Sequence, residues 1–187
     1  VVFLHFTGHG QQIVDDNDDE TDGFDEALIP IDAPYNYRQK GYHGENHLRD
    51  DEFGRLLDRM RRKVGTAGEV IFTIDACHSG SVTRGEEAET SYVEMPVLPD
   101  AQAALAPFVV FSSSSYNQPT SETIDPARRR PVGPLSYAFS KSFAALGPKA
   151  TYRSLFAEIK NIMAAKVPKQ TPQVEGDLDR PVLGAAE

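Results

Sequence analysis

The sequence has a single cysteine, no long apolar run and no excess of basic residues, and each shortage narrows what the protein can be. One cysteine, Cys77, excludes an internal disulfide and fits a reducing compartment, so we expect a cytoplasmic protein. The formal net charge of -9 argues against nucleic-acid or anionic-membrane partners, because both require a basic face. The opening residues VVFLHF lack the basic region and the length of a signal peptide.

The 187 residues suit one domain with a core of its own. Apolar stretches rich in β-branched and aromatic residues predict strands at 1–6, 27–32, 69–77 and 107–115. Apolar residues at helical spacing predict helices at 48–64, 135–146 and 151–167. Strands that alternate with helices imply an α/β fold with a mostly parallel sheet flanked by helices.

Two of the predicted strands run into glycine-containing segments that carry reactive side chains. VVFLHF leads into TGHG with His9, and EVIFTID leads into ACHSG with Cys77. Functional groups gather beyond the carboxyl ends of parallel strands, so neighbouring strands would place these two residues across one crevice. Gly8 and Gly10 predict a tight turn around His9.

Cys77 has three candidate roles. A lone cysteine at the end of a buried strand is by default a small core residue. A zinc site with His9, Asp75 and His78 is disfavoured, because the chain has no CxxC or HxxxH spacing. A nucleophilic thiolate needs a nearby base, and the paired motifs favour this role. His78 is poorly placed as that base, since adjacent side chains of a strand point to opposite faces. We therefore predict that His9 is the base.

The motifs HFTGHGQQ and IDACHSGS resemble the histidine and cysteine motifs of metacaspases and of their prokaryotic relatives, the orthocaspases. The segments DGFDEALIPID, LRDDEF, FSSSS and QTPQVEGDLDRPVLG also have counterparts there, so the resemblance covers nearly the whole chain. It implies a caspase-like fold and cysteine endopeptidase activity, with Cys77 as nucleophile and His9 as general acid/base. It also implies an oxyanion hole formed by the backbone amides of Cys77 and Gly10.

The resemblance implies one peptidase domain over residues 1–187. Residues 1–80 would correspond to the larger subunit of this family, 81–106 to a linker and 107–187 to the smaller subunit. Many family members cleave themselves in this linker, and Arg84 is the candidate site here.

Specificity for arginine or lysine is a further expectation from the resemblance. Metacaspases carry an acidic residue two positions before the cysteine, which is Asp75 here. At the floor of a cleft it would accept a charge-assisted hydrogen bond, including a bidentate one, from a substrate cation. Thr7 lies where the family often has serine, and we expect it to contribute to the same pocket. The structural alternative is that Asp75 only caps a backbone turn.

The acidic stretch DDNDDETDGFDE raises the question of calcium. It fails the EF-hand pattern, because position six counted from Asp15 is Glu20 rather than glycine. The resemblance to calcium-activated metacaspases implies ligands at Asp25, Asp50 and Asp51, although Arg84 stands where a further ligand is expected. We expect no required cofactor and treat calcium as an optional one.

The expected partners are protein or peptide substrates with arginine or lysine at the cleavage site. Family members carry a strand and helices before the histidine strand, so we also expect a preceding chain segment that completes the sheet. Without it, VVFLHF would form a hydrophobic edge. Two alternatives stay open: a catalytically silent caspase-like module for protein interaction, and a legumain-like or gingipain-like peptidase of the same broad clan.

Overall fold

The structure is a computed structural model that describes residues 1–17, 23–35, 37, 41–78, 105–114, 121–147 and 149–184, with the backbone alone at 77 and 78. Its strands are β1 (Val2–Val14), β2 (Phe24–Ile29), β3 (Leu48–Arg49), β4 (Val70–His78), β5 (Phe108–Ser112), β6 (Thr123–Asp125), β7 (Arg130–Val132) and β8 (Gln173–Gly176). Its helices are α1 (Asp50–Val64), α2 (Pro134–Leu146) and α3 (Tyr152–Lys166), and a 3-10 turn follows at Val182–Gly184.

Six of these strands form one sheet in the order β3-β2-β1-β4-β5-β8. The three central strands, β1, β4 and β5, run parallel, whereas β2, β3 and β8 join antiparallel at the flanks. The predicted α/β class is therefore confirmed, and the parallel pairing lies at the centre of a mixed sheet. The short strands β6 and β7 form a separate hairpin.

Strand β4 is buried on both faces, as its nearly all-apolar sequence predicted. Val70, Phe72 and Ile74 pack with Phe53 and Leu57 of α1 on one face. On the other face, a second apolar cluster joins the sheet to α2 and α3; its fully buried members include Ile71, Phe111, Leu135, Tyr152 and Met163. The sheet thus lies between one helix on one side and two on the other. No helix of the described residues is long and apolar enough to cross a membrane.

The predicted turn at TGHG is wrong, because β1 continues through this segment to Val14. Thr7, Gly8, His9 and Gly10 all pair with β4, and from His9 onwards the strand also pairs with β2. Ladder hydrogen bonds on both sides override the turn preference of two glycines.

The first half of β1 has one open edge. Residues 2–8 pair with β4, but β2 joins only from His9, so no strand of the described residues pairs with the other edge. Val1 is 63% exposed and Phe3 is 46% exposed there. This edge combines unpaired backbone with apolar side chains.

Candidate active site

The register between β1 and β4 brings the two predicted reactive positions to one rung of the sheet. Nine parallel pairs run from Val2–Val70 to Gly10–His78, and His9 pairs with Cys77. The predicted strands that carry His9 and Cys77 are therefore neighbours in the sheet. Because alternate residues share a face, the pairs His5–Thr73, Thr7–Asp75 and His9–Cys77 occupy one row of register positions.

His9 is exposed and lies where β1 gains its second neighbour, opposite Ile29 of β2. Its ring meets that of Tyr35 edge to face, with ring centroids 5.5 Å apart and planes at 82°. Such a contact restrains the imidazole orientation while leaving it accessible. Sequence reasoning missed Tyr35, because its position depends on how the chain returns after β2.

The other positions expected around the nucleophile lie within two rungs of it. Gly10 is buried and follows His9, with Leu28 and His78 as its register partners. Thr7 is exposed and is the register partner of Asp75. The backbone of the predicted oxyanion and pocket residues therefore surrounds the His9–Cys77 rung.

The two oxygens of the Asp75 carboxylate have different surroundings. The residue is only 3% exposed, and Oδ2 accepts hydrogen bonds from the Ser136 amide at 2.6 Å and the Ser136 hydroxyl at 2.5 Å. Ser136 lies in the first turn of α2, where free amides and the helix dipole favour an anion. Oδ1 is buried and has no hydrogen-bond partner among the described residues. Asp75 thus caps a helix with one oxygen, while the other is buried without a described partner.

A second histidine extends this arrangement. His5 Nδ1 lies 2.5 Å from Thr73 Oγ1, and His5 Nε2 lies 3.3 Å from Ser136 Oγ. A row therefore runs from Thr73 through His5 and Ser136 to Asp75. Sequence reasoning missed it: the spacing of His5 and His9 on one face was a usable signal, but nothing marked Ser136 as a partner of a strand 61 positions earlier.

Asp25, one of the expected calcium ligands, is buried and ion-paired with Arg49. Burial raises the pKa of Asp25 to about 6, although the Arg49 hydrogen bond and charge act to lower it. Carboxylate oxygens of Asp15, Asp16 and Asp25 lie within 4.8 Å of one another, and Arg49 also pairs with Asp16 at 3.3 Å. A guanidinium therefore already neutralises part of this group.

The other expected calcium ligands begin helix α1. Asp50 accepts the Asp51 amide at 2.9 Å, and Asp51 accepts from Asn17 at 2.7 Å and Arg55 at 3.2 Å. Neither belongs to the group formed by Asp15, Asp16 and Asp25. The candidate self-cleavage residue Arg84 lies outside the described residues.

A family model described as the caspase domain matches residues 1–183. The chain belongs to the caspase-domain family of peptidases. This match confirms the resemblance drawn from the histidine and cysteine motifs, and it places the chain in a family of cysteine peptidases.

Several curated metacaspases resemble this caspase domain. Metacaspase-1B of Aspergillus oryzae is 28% identical over 219 residues, covering 92% of this chain and 48% of its own. Metacaspase-1A of Aspergillus fumigatus is 42% identical over 80 residues, covering 43% of this chain and 16% of its own. Metacaspase III c of Phaeodactylum tricornutum is 38% identical over 82 residues, covering 43% and 21%. The matches span half or less of these relatives' lengths.

The fold also matches a solved structure. A crystal structure of a Geobacter sulfurreducens protein aligns with a TM-score of 0.61 and 23% identity, covering 99% of this chain and 71% of that one. At this identity the likeness concerns the fold alone, and together with the family match it confirms the caspase-like fold.

Proposed function

We propose that this caspase domain is a cysteine endopeptidase that cleaves peptide bonds after arginine or lysine. In this proposal Cys77 attacks the scissile carbonyl, and His9 accepts the thiol proton and later protonates the leaving amine. The backbone amides of Gly10 and Cys77 stabilise the oxyanion. The observation that carries the proposal is the pairing of His9 with Cys77 on adjacent parallel strands.

The preference for a basic residue is supported by the half-satisfied carboxylate of Asp75. A buried carboxylate oxygen without a partner is costly, and a cationic group brought to it offsets that cost. Oδ1 of Asp75 is such an oxygen, two register positions before the reactive rung and on the same face. An aspartate side chain at that point would add a second buried negative charge, so we expect acidic substrates to be rejected.

Hydrolysis of matched fluorogenic peptides tests the proposal. Peptides that end in arginine, lysine or aspartate should be compared on the wild type and on Cys77→Ala and His9→Ala. We expect cleavage after the two basic residues only, loss of activity in Cys77→Ala, and a fall of at least about 100-fold in kcat for His9→Ala. His43→Ala is the matched control, because His43 is also exposed but lies in the segment after β2.

Asp75→Asn tests the pocket separately. It should weaken cleavage after arginine and lysine while leaving alkylation of Cys77 by iodoacetamide unchanged. Asp58→Asn is its control, since Asp58 is also buried but pairs with Arg61 on α1. Preference for the aspartate peptide would contradict the role of Asp75. No cleavage of any peptide, with Cys77 inert to alkylation, would instead favour the silent interaction module.

Calcium binding is a separate proposal. Three carboxylates within reach of one ion suit the oxygen preference of calcium, but Arg49 competes for Asp16 and Asp25. Calorimetric titration of the wild type and Asp25→Asn with calcium should therefore show weak binding that the substitution abolishes. Equal heats for both proteins would remove Asp25 from the ligand set.

Two further proposals concern other parts of the chain. The open edge at residues 2–8 supports pairing with a strand from a preceding segment, because it leaves backbone donors and acceptors unpaired. Slower amide exchange there, when the upstream sequence is included, is the expected result; unchanged exchange argues against it. Self-cleavage after Arg84 predicts that wild type shortens while Cys77→Ala keeps its intact mass.

A further inference from the structure

The Asp75 carboxylate offers a substrate cation one oxygen instead of two. Oδ2 already accepts the amide and the hydroxyl of Ser136, while Gly133 lies so close that an added Cβ would stand 2.1 Å from it. Oδ1 has no partner among the described residues. Arginine gains its advantage over lysine by bonding to both oxygens of a carboxylate with its planar fork. Here the second oxygen is occupied.

The Ser136 hydroxyl lies between Asp75 and His5 and contacts both. Ser136 has one hydroxyl proton, and the 2.5 Å contact assigns that proton to Asp75 Oδ2. The Ser136 oxygen lies 3.3 Å from His5 Nε2, and His5 Nδ1 lies 2.5 Å from Thr73 Oγ1, whose hydroxyl also donates to the Leu4 carbonyl at 3.4 Å. These contacts hold the Ser136 side chain beside the Asp75 carboxylate.

The Ser136 side chain also borders an open space. Ser136 and His5 line a cavity of about 320 Å³, whose walls also include the rings of Phe3, Phe139 and Phe143. Without the hydroxyl, Oδ2 would keep the Ser136 amide and regain one free lone pair. A guanidinium could then contact both oxygens.

We propose that Ser136 determines specificity by limiting Asp75 to recognition through one oxygen, so that the enzyme accepts lysine almost as well as arginine. Ser136 acts through Asp75 and is a positioning residue. The inference rests on the proposed function, in which Asp75 binds the cationic side chain of the substrate. It adds that Ser136 on α2 sets the relative preference for substrates with arginine or with lysine at the cleavage site.

The test is the ratio of kcat/KM for two peptides that differ only in arginine or lysine at the cleavage site. We expect a ratio below about tenfold for the wild type and a ratio about tenfold higher for Ser136→Ala, as one more charge-assisted contact would produce. The change should arise mainly in KM, and the alkylation rate of Cys77 should stay unchanged. Ser136→Thr keeps a hydroxyl and should restore the wild-type ratio.

Ser142→Ala is the matched control, because Ser142 lies on the same helix, is fully buried and has no partner for its hydroxyl in the described part of the chain. It should leave the ratio unchanged. If Ser136→Ala does not fold, Ser136→Cys replaces the hydroxyl with a weakly donating thiol and should raise the ratio by a smaller factor.

A wild-type preference for arginine above about 100-fold would overturn the inference, because that selectivity requires bidentate recognition. An unchanged ratio in Ser136→Ala, or in Ser136→Cys where the first variant is unfolded, would overturn it as well. Failure of the proposed function gives a different result, since the wild type would then cleave neither basic peptide.

Discussion

Replacing Gly133 by alanine should dislodge the Asp75 carboxylate from the start of helix α2. Gly133 has φ -61 and ψ 134, which alanine adopts without strain, so the effect comes from contact alone. The new Cβ would lie 2.1 Å from Oδ2, whereas side-chain Cβ atoms essentially never approach closer than 3.0 Å. The carboxylate must therefore move by about 0.9 Å, the difference between these distances.

That movement breaks both hydrogen bonds to Ser136. The contacts of 2.5 and 2.6 Å leave no room to move toward Ser136, so the carboxylate can only withdraw from the helix. Each hydrogen bond to a charged group contributes about 1.5–3 kcal/mol, and relaxation recovers part of the loss. We expect the free energy of unfolding to fall by about 3 kcal/mol, which corresponds to a decrease in Tm of roughly 6–12 °C for a chain of this size.

Thermal unfolding followed by circular dichroism measures this effect. Gly147→Ala is a matched control at the other end of α2, where φ is 71 and nothing lies within 4 Å of the new Cβ. It should cost only about 1 kcal/mol, from backbone strain. In an Asp75→Ala background, Gly133→Ala should become nearly neutral, because the clashing group is gone. An equal loss in both backgrounds would refute the reasoning.

Three further predictions concern residues outside the candidate active site. Ser142→Ala should raise the free energy of unfolding by about 1 kcal/mol, measured by urea titration, because it removes a buried hydroxyl without a partner; a loss of stability would contradict this. Gly176→Ala should cost more than about 3 kcal/mol and expose β8 to amide exchange, since its φ is 109 and its Cβ would meet the Phe108 carbonyl at 2.0 Å. Burial, followed by the Arg49 charge, lowers the pKa of His47, so the unfolded chain takes up a proton near pH 6.5 before the folded protein does. Stability should therefore fall as the pH drops below about 6.5, and His47→Gln should flatten that dependence; an unchanged slope would exclude His47 as its source.

The elements that the sequence predicted well are those whose pattern is set within the element itself. Strand β4 was predicted because each of its faces meets an apolar layer, which makes its sequence almost wholly apolar. Helix α1 was predicted because its apolar residues recur at helical spacing. The hairpin of β6 and β7 and the two-residue β3 were not predicted. Strands this short carry too few residues to show a period. The segment TGHG was misread because its conformation depends on two neighbouring strands.

In the candidate site, too, the residues that lie in local motifs were predicted, and those that come from distant segments were not. His9, Cys77 and Asp75 were singled out from local motifs, and the register places His9 and Cys77 on one rung. Ser136 and Tyr35 could not be found this way, because each reaches the site from a distant segment. Arg49 is a similar case: its attraction to Asp25 exists only when β3 lies beside β2.

The position of the His9–Cys77 pair within the β1–β4 ladder affects how this pair forms and separates. All nine pairs join residues 68 positions apart. The first pair to form therefore bears the entropic cost of closing this loop, and the other pairs close no further loop. The pair His9–Cys77 is the eighth of nine, beside the end of the ladder. Ends of ladders open at lower free energy than their middles. The His9–Cys77 rung therefore lies where this ladder separates at lower free energy than at its middle rungs.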